Sequence, residues 1–118
     1  MAATVLIVDD HPAFRAAARR LLELEGYDVV GEAEDGLSAI DAARALRPDF
    51  ILLDVQLPDL DGFEVAERLC SDPLPPQIVL TSSRDRSDYG PCLASTPARG
   101  FVPKAELSAA GIADILAA

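Results

Sequence analysis

Phe50-Ile51-Leu52-Leu53-Asp54 is apolar at four successive positions and then turns acidic. An element with one wet face would alternate or repeat every three to four residues, whereas a short unbroken apolar run suits a strand buried on both sides. Thr4-Val5-Leu6-Ile7-Val8 followed by Asp9-Asp10 has the same form. Strands of this kind lie in parallel sheets covered by helices, so the chain between such runs should be helical. The segment 11–25 carries Phe14, Ala18, Leu21 and Leu22 on one face, with Pro12 near its start and Gly26 at its end. The segment 36–46 stacks Leu37, Ile40 and Ala43 and stops before Pro48, and 62–71 stacks Phe63, Ala66, Leu69 and Cys70 after Gly62. Val29–Ala33, Ile78–Leu80 and Gly100–Val102 supply the remaining strands, and 107–117 the last helix. This rhythm is a βα unit repeated five times, which predicts an α/β, doubly wound parallel sheet with helices on both faces. Across residues 84–98, Gly90-Pro91 and Pro97 interrupt what would be the fourth helix, so a short or distorted helix is expected there.

The chain has 118 residues, a length that suits one domain spanning 1–118 and is too short for two. No apolar run reaches the roughly 18 residues that cross a bilayer, and the start of the chain lacks the basic and cleavage-site pattern of a signal peptide. A cytoplasmic protein without a membrane segment is the expectation. Ten basic residues against twenty acidic ones leave a net charge of −10, which repels nucleic acid and anionic lipid, so this domain by itself is not expected to bind DNA. Cys70 and Cys92 form no CxxC pair and read as reduced thiols.

Open parallel sheets bind ligands at the carboxyl ends of their strands. There the chain places Asp9 and Asp10 after strand 1, Asp54 after strand 3, Thr81 and Ser82 after strand 4 and Lys104 after strand 5. Each has a plainer reading by itself: a helix cap for Asp9-Asp10, a turn residue for Asp54, a strand end for Thr81, an ordinary exposed lysine for Lys104. Their joint placement points to a site. Carboxylates gathered at one edge repel one another, and a hard divalent cation that favours oxygen ligands relieves this, with Mg²⁺ the natural candidate. Asp61-Gly62 reads as a turn into the third helix, and His11 as a solvated residue at the start of the first.

These residues resemble the receiver family of two-component signalling. The family shows an acidic pair after strand 1, an aspartate after strand 3, a hydroxyl residue after strand 4 and a lysine after strand 5. Asp54-Val55-Gln56-Leu57-Pro58-Asp59-Leu60-Asp61-Gly62 is similar to its D-x-x-L-P-x-x-D-G signature. Val8-Asp9-Asp10-His11-Pro12-Ala13-Phe14-Arg15 is similar to the opening of regulators with helix-turn-helix output domains, and the likeness runs the length of the chain. It implies the flavodoxin-like strand order 2-1-3-4-5 and a phosphoacceptor switch rather than an enzyme with an external substrate. By the resemblance, Asp54 is the nucleophile that accepts a phosphoryl group from a histidine kinase or phosphotransfer protein. Asp10 and Asp54 would ligate Mg²⁺ directly, Asp9 largely through water, and the backbone carbonyl of Gln56 would add a ligand. Lys104 and Thr81 would hold phosphoryl oxygens, and Ser82 would be small enough to leave the site open. Thr81 would swing toward the phosphoryl group so that Phe101, the switch aromatic three residues before the lysine, turns inward. Gln56 and Ser83 would flank the phosphoryl group and set its lifetime. The partners implied are that kinase and a downstream output protein or domain, with room for a homodimer.

Two departures stand out. Pro103 precedes Lys104, whereas the family usually places a proline after its lysine. The interrupted fourth helix falls in the face that relatives use for output or dimerisation, so that surface is not carried over. Three rival readings compete. A phosphatase of the haloacid dehalogenase type needs a second acid two residues after its nucleophile, where Gln56 stands. A flavin-binding electron carrier needs a glycine-rich or hydroxyl-rich phosphate loop after strand 1, where Asp9-Asp10-His11-Pro12 would repel phosphate. A receiver-like module that binds partners without phosphorylation is opposed by the intact acidic set.

Overall fold

Sorting by alternate residues builds the core. The computed structural model of the chain describes residues 2–117. Strands β1 (Thr4–Val8), β2 (Asp28–Ala33), β3 (Phe50–Asp54), β4 (Gln77–Ser82) and β5 (Gly100–Pro103) form one parallel sheet in the order β2-β1-β3-β4-β5. Helices α1 (Pro12–Leu24), α2 (Gly36–Leu46), α3 (Gly62–Cys70), α4 (Gly90–Ser95) and α5 (Ala109–Ala117) join or follow them, with 3₁₀ turns at Arg86–Asp88 and Lys104–Glu106. Side chains along a strand point alternately to opposite faces. Accordingly Leu6, Val8, Ile51, Leu53, Ile78, Leu80 and Phe101 pack with α2 and α3, while Val5, Ile7, Phe50, Leu52, Val79 and Val102 pack with Ala18 and Leu22 of α1 and Ile112 of α5. The doubly wound α/β sheet in the order 2-1-3-4-5 is thus as expected, with an apolar layer on each side.

Two aspartates cap the middle helices: Asp35 accepts from Ser38 N at 2.8 Å at the start of α2, and Asp61 accepts from Glu64 N at 2.9 Å at the start of α3. The turn reading of Asp61-Gly62 therefore holds. Gly62 also permits a close approach, since a Cβ there would lie 2.6 Å from the Asp54 carbonyl oxygen and 2.8 Å from Val55 Cα. The third helix can begin directly under the end of β3 only with glycine at this position.

Several boundaries and faces differ from expectation. Leu37, expected on the inner face of α2, is 55% exposed, because that helix packs through the small residues Gly36, Ala39 and Ala43 together with Ile40. The inner face of α3 is Val65, Ala66 and Leu69, with Phe63 and Cys70 at its margin. β4 continues through Thr81 and Ser82, which pair with Val102 and Pro103 of β5, so both residues end the strand rather than follow it. The last helix starts at Ala109, two residues beyond Leu107. The fourth helix is short as expected: six residues, with φ at Gly90 of +28° and no fully buried side chain.

Candidate functional site

The carboxyl ends of β1, β3, β4 and β5 bring Asp9, Asp10, Asp54, Thr81 and Lys104 to one edge of the sheet. Each is delivered by the strand before it. Asp54 pairs with Thr81 across β3 and β4, which places both at one level of the sheet. Asp9 is fully buried and Asp54 nearly so, while Asp10 lies at the rim with 37% of its side chain exposed. One carboxylate oxygen from each of the three, together with a ring nitrogen of His11, fits within a span of 4.8 Å.

Lys104 stands in this cluster as its cation. Its ammonium lies 2.6 Å from Asp9 Oδ2 and 3.6 Å from Asp54 Oδ2. It also sits 4.4 Å from the centre of the Phe14 ring, whose negative face favours a cation. One ammonium does not balance the acids around it. Burial pushes the Asp54 carboxyl up from 3.8 to about 6, and the charge of Asp9 pushes the same way, against the Gln56 N–H and Lys104. The buried hydroxyl of Thr81 has no hydrogen-bond partner, an uncommon condition for a polar atom sealed from water. Two buried carboxylates, a third at the rim and an unpaired hydroxyl form a hard-oxygen pocket that can hold a small divalent cation beside an anion.

The plainer reading of Asp10 as a helix cap fails. His11 is the first flanking residue of α1, and Asp9 Oδ1 accepts its backbone N–H at 2.8 Å, which leaves Asp10 free of that duty. His11 is solvated as expected, with 68% of its side chain exposed, yet its Nδ1 lies 3.0 Å from both Asp9 Oδ1 and Asp10 Oδ1. Gln56 and Ser83 are exposed, and the Gln56 N–H donates to Asp54 Oδ1 at 3.2 Å. The loop after β3 is pinned by the Gly62 N–H to Val55 O bond of 2.8 Å, and by Asp59, which accepts from Gly36 N and Leu37 N at 2.7 and 2.9 Å. Those amide contacts hold the Asp59 carboxyl below its ordinary value.

Ser82 and Phe101 lie apart from the acidic cluster. Leu80 and Val79 belong to opposite core layers, so alternation sends Ser82 to the α2–α3 side and Thr81 to the other. The Ser82 hydroxyl there lies 2.6 Å from the Tyr89 hydroxyl and accepts from Arg84 N at 3.1 Å. Phe101 is already turned inward, at 2% exposure. Sequence reasoning overlooked Phe14, which packs under Lys104, and Arg15, whose Nη1 donates to the Asp9 carbonyl at 2.6 Å. The signal was available, because a helix starting at Pro12 returns its first turn toward the end of β1. Tyr89 was also overlooked, and no local pattern marks it.

Residues 5–115 match the family described as the response regulator receiver domain. Among curated relatives, the transcription regulator BvgA of Bordetella pertussis is 40% identical over 102 residues, 86% of this chain and 49% of its own length. The DNA-binding transcriptional activator EvgA of Escherichia coli is 34% identical over 113 residues, 96% of this chain and 53% of its own. The chain thus spans about half the length of these relatives. Among solved structures, the signal receiver domain of NarL from Mycobacterium tuberculosis superposes with a TM-score of 0.87 at 34% identity, covering 99% of this chain and 98% of that one. A LuxR-family two-component response regulator from Aurantimonas sp. SI85-9A1 gives 0.86 at 30%, covering 99% and 87%. With a family match over nearly the whole chain and the sheet order and acidic edge described above, this protein belongs to the response regulator receiver domain family.

Proposed function

We propose that the chain is a phosphoacceptor switch in which Asp54 takes a phosphoryl group in a Mg²⁺-dependent reaction. The observation that carries this reading is the placement of the buried Asp54 carboxylate 3.6 Å from the Lys104 ammonium, inside a cluster of three aspartates. An ionised Asp54 oxygen attacks phosphorus, forming the O–P bond as the bond from phosphorus to the donor's imidazole nitrogen breaks. The imidazole departs with its electron pair. A carboxylate with an ordinary value of 3.8 needs no base to become a nucleophile at neutral pH, and even one raised to about 6 is mostly ionised there.

Mg²⁺ fits the hard-oxygen donors of this pocket. Asp10 and Asp54 would hold it, with Asp9 acting through water and the Gln56 carbonyl as a further ligand; when bound, it neutralises charge on the phosphoryl oxygens. The remaining work falls to the chain's own residues. Lys104 supplies a fixed positive charge on the Asp54 side of the pocket, and Thr81 offers a buried hydroxyl with no competing partner. Ser83 and Gln56, both exposed, would govern water access and so the lifetime of the acyl phosphate.

The donor would be a histidine kinase or phosphotransfer protein in the cytoplasm. Transcription control is the output favoured by the relatives, whose names describe transcription regulators. The test is incubation with acetyl phosphate and Mg²⁺ followed by intact-mass measurement. A single adduct of about 80 Da that requires Mg²⁺ and is lost in Asp54→Ala is the expected result. An adduct that persists in Asp54→Ala would refute the assignment of the nucleophile. Absence of both adduct and Mg²⁺ binding would favour a module that binds partners without phosphorylation.

A further inference from the structure

We propose that Tyr89 is a positioning residue that couples the end of β4 to the surface segment 84–95, and that its hydrogen bond to Ser82 is broken when an acyl phosphate forms on Asp54. The inference rests on the phosphoacceptor reading of Asp54.

The segment in question is only partly buried, through Tyr89 and Leu93. Neither the 3₁₀ turn Arg86–Asp88 nor α4 contains a fully buried residue, and Asp85 and Asp88 cap the turn from within. Tyr89, at the junction of turn and helix, is half-buried and makes three connections at once. Its ring meets Phe63 of α3 edge-on at 5.5 Å and Phe101 of β5 edge-on at 5.7 Å. Its hydroxyl lies 2.6 Å from the Ser82 hydroxyl, at the last residue of β4. Phe101 is also held by Arg86, whose guanidinium lies 5.5 Å from the ring centre and donates to the Phe101 carbonyl at 2.8 Å. Tyr89 and Arg86 together therefore clamp the segment to β5, and the Tyr89 hydroxyl ties that clamp to Ser82 of β4, which also accepts from Arg84 N.

Thr81 precedes Ser82 directly and faces the opposite side, toward the acidic cluster, with a hydroxyl that has no partner. An anion on Asp54 gives that hydroxyl its missing partner. Drawing the Thr81 backbone toward β3 rotates the next residue the other way, because successive side chains of a strand are rigidly opposed. At 2.6 Å the Ser82–Tyr89 bond has no slack for such a shift. Its loss leaves the segment held by the ring contacts, the Arg86 bond to the Phe101 carbonyl and the packing of Leu93. On this account Phe101, already inward, is held in place by the clamp and does not act as the moving part.

The test is hydrogen exchange read by mass spectrometry on the peptide covering 84–95, in wild type, Tyr89→Phe, Ser82→Ala and the double variant, with and without acetyl phosphate and Mg²⁺. Tyr89→Phe keeps the ring and removes only the hydroxyl. One neutral hydrogen bond corresponds to about a fivefold change in an opening equilibrium. Exchange in the unphosphorylated protein should therefore rise about fivefold in Tyr89→Phe, at least as much in Ser82→Ala, which also loses the Arg84 N bond, and no further in the double than in Ser82→Ala. Adduct formation on Asp54 should persist in Tyr89→Phe, while the increase in exchange caused by phosphorylation should shrink by the same factor. A merely structural role would loosen both states equally, so an undiminished phosphorylation effect in Tyr89→Phe would overturn the proposal. Additive single variants would overturn it as well. If wild type forms no adduct, the phosphoacceptor reading fails separately, and the coupling is then judged on the unphosphorylated proteins, where unchanged exchange in Tyr89→Phe refutes it.

Discussion

At the scale of single residues, the pocket is a compromise between burial and charge. In the metal-free protein the Asp54 carboxyl is raised from 3.8 to about 6, chiefly by burial. The folded state then holds its proton more tightly than the unfolded state does. Stability from this group is full below pH 3.8 and is lost as pH rises to about 6, to an extent on the order of 3 kcal/mol. Asp54→Asn removes the ionisation while keeping shape and the acceptor for the Gln56 N–H. It should be more stable than wild type by about 2–3 kcal/mol in urea titrations at pH 7.5 without Mg²⁺, and no more stable at pH 3. Lys104 is the opposite case, because it stands between two carboxylates at 2.6 and 3.6 Å. Lys104→Met should slow adduct formation from acetyl phosphate about 100-fold, the usual cost of losing one charge-stabilising donor, as followed by intact mass over time. The residue types and order of this pocket were readable from the sequence, since each charged or hydroxyl side chain lies at or just beyond an apolar run.

At the scale of elements, the loop from β3 into α3 is held by several contacts at once. Asp54, the Gln56 N–H, Asp59 and Asp61 all act within nine residues, and Gly62 closes the loop against the Asp54 backbone. A Cβ at Gly62 would meet backbone atoms at 2.6 and 2.8 Å, which cannot rotate away as a side chain would. Gly62→Ala should therefore destabilise the protein by about 2–3 kcal/mol, measured by the shift of the urea midpoint, and should weaken Mg²⁺ binding by moving the loop. The glycine and the capping aspartate were legible as a turn. The reason the glycine is needed was not, because it depends on how near α3 starts to the end of β3. Helix faces were legible to within one position. Leu37 was misplaced because α2 seats its small residues against the core, a choice made by the depth available above the sheet.

At the scale of the whole molecule, the net charge of −10 and the acidic edge act together. A cation bound only by the folded state stabilises it by mass action, by about 2.7 kcal/mol at one hundred times its dissociation constant. Mg²⁺ should accordingly raise the unfolding temperature of wild type by several degrees in calorimetry, with chelator reversing the rise. In Asp54→Asn at matched ionic strength the rise should be much smaller; an equal rise would show that Mg²⁺ acts through general surface charge. The sequence by itself determined the strand and helix types, the parallel doubly wound sheet and the gathering of Asp9, Asp10, Asp54, Thr81 and Lys104 at one edge. Hydrophobic period and turn residues are local, and a parallel sheet delivers every strand end to the same side. Only the tertiary structure decided that Lys104 sits 2.6 Å from Asp9, that Phe14 lies beneath it, and that Ser82 is tied to Tyr89 on the far face of the sheet. Those contacts join residues from separate elements, and their distances follow from how helices and the 84–98 segment settle on the sheet, which no local pattern encodes.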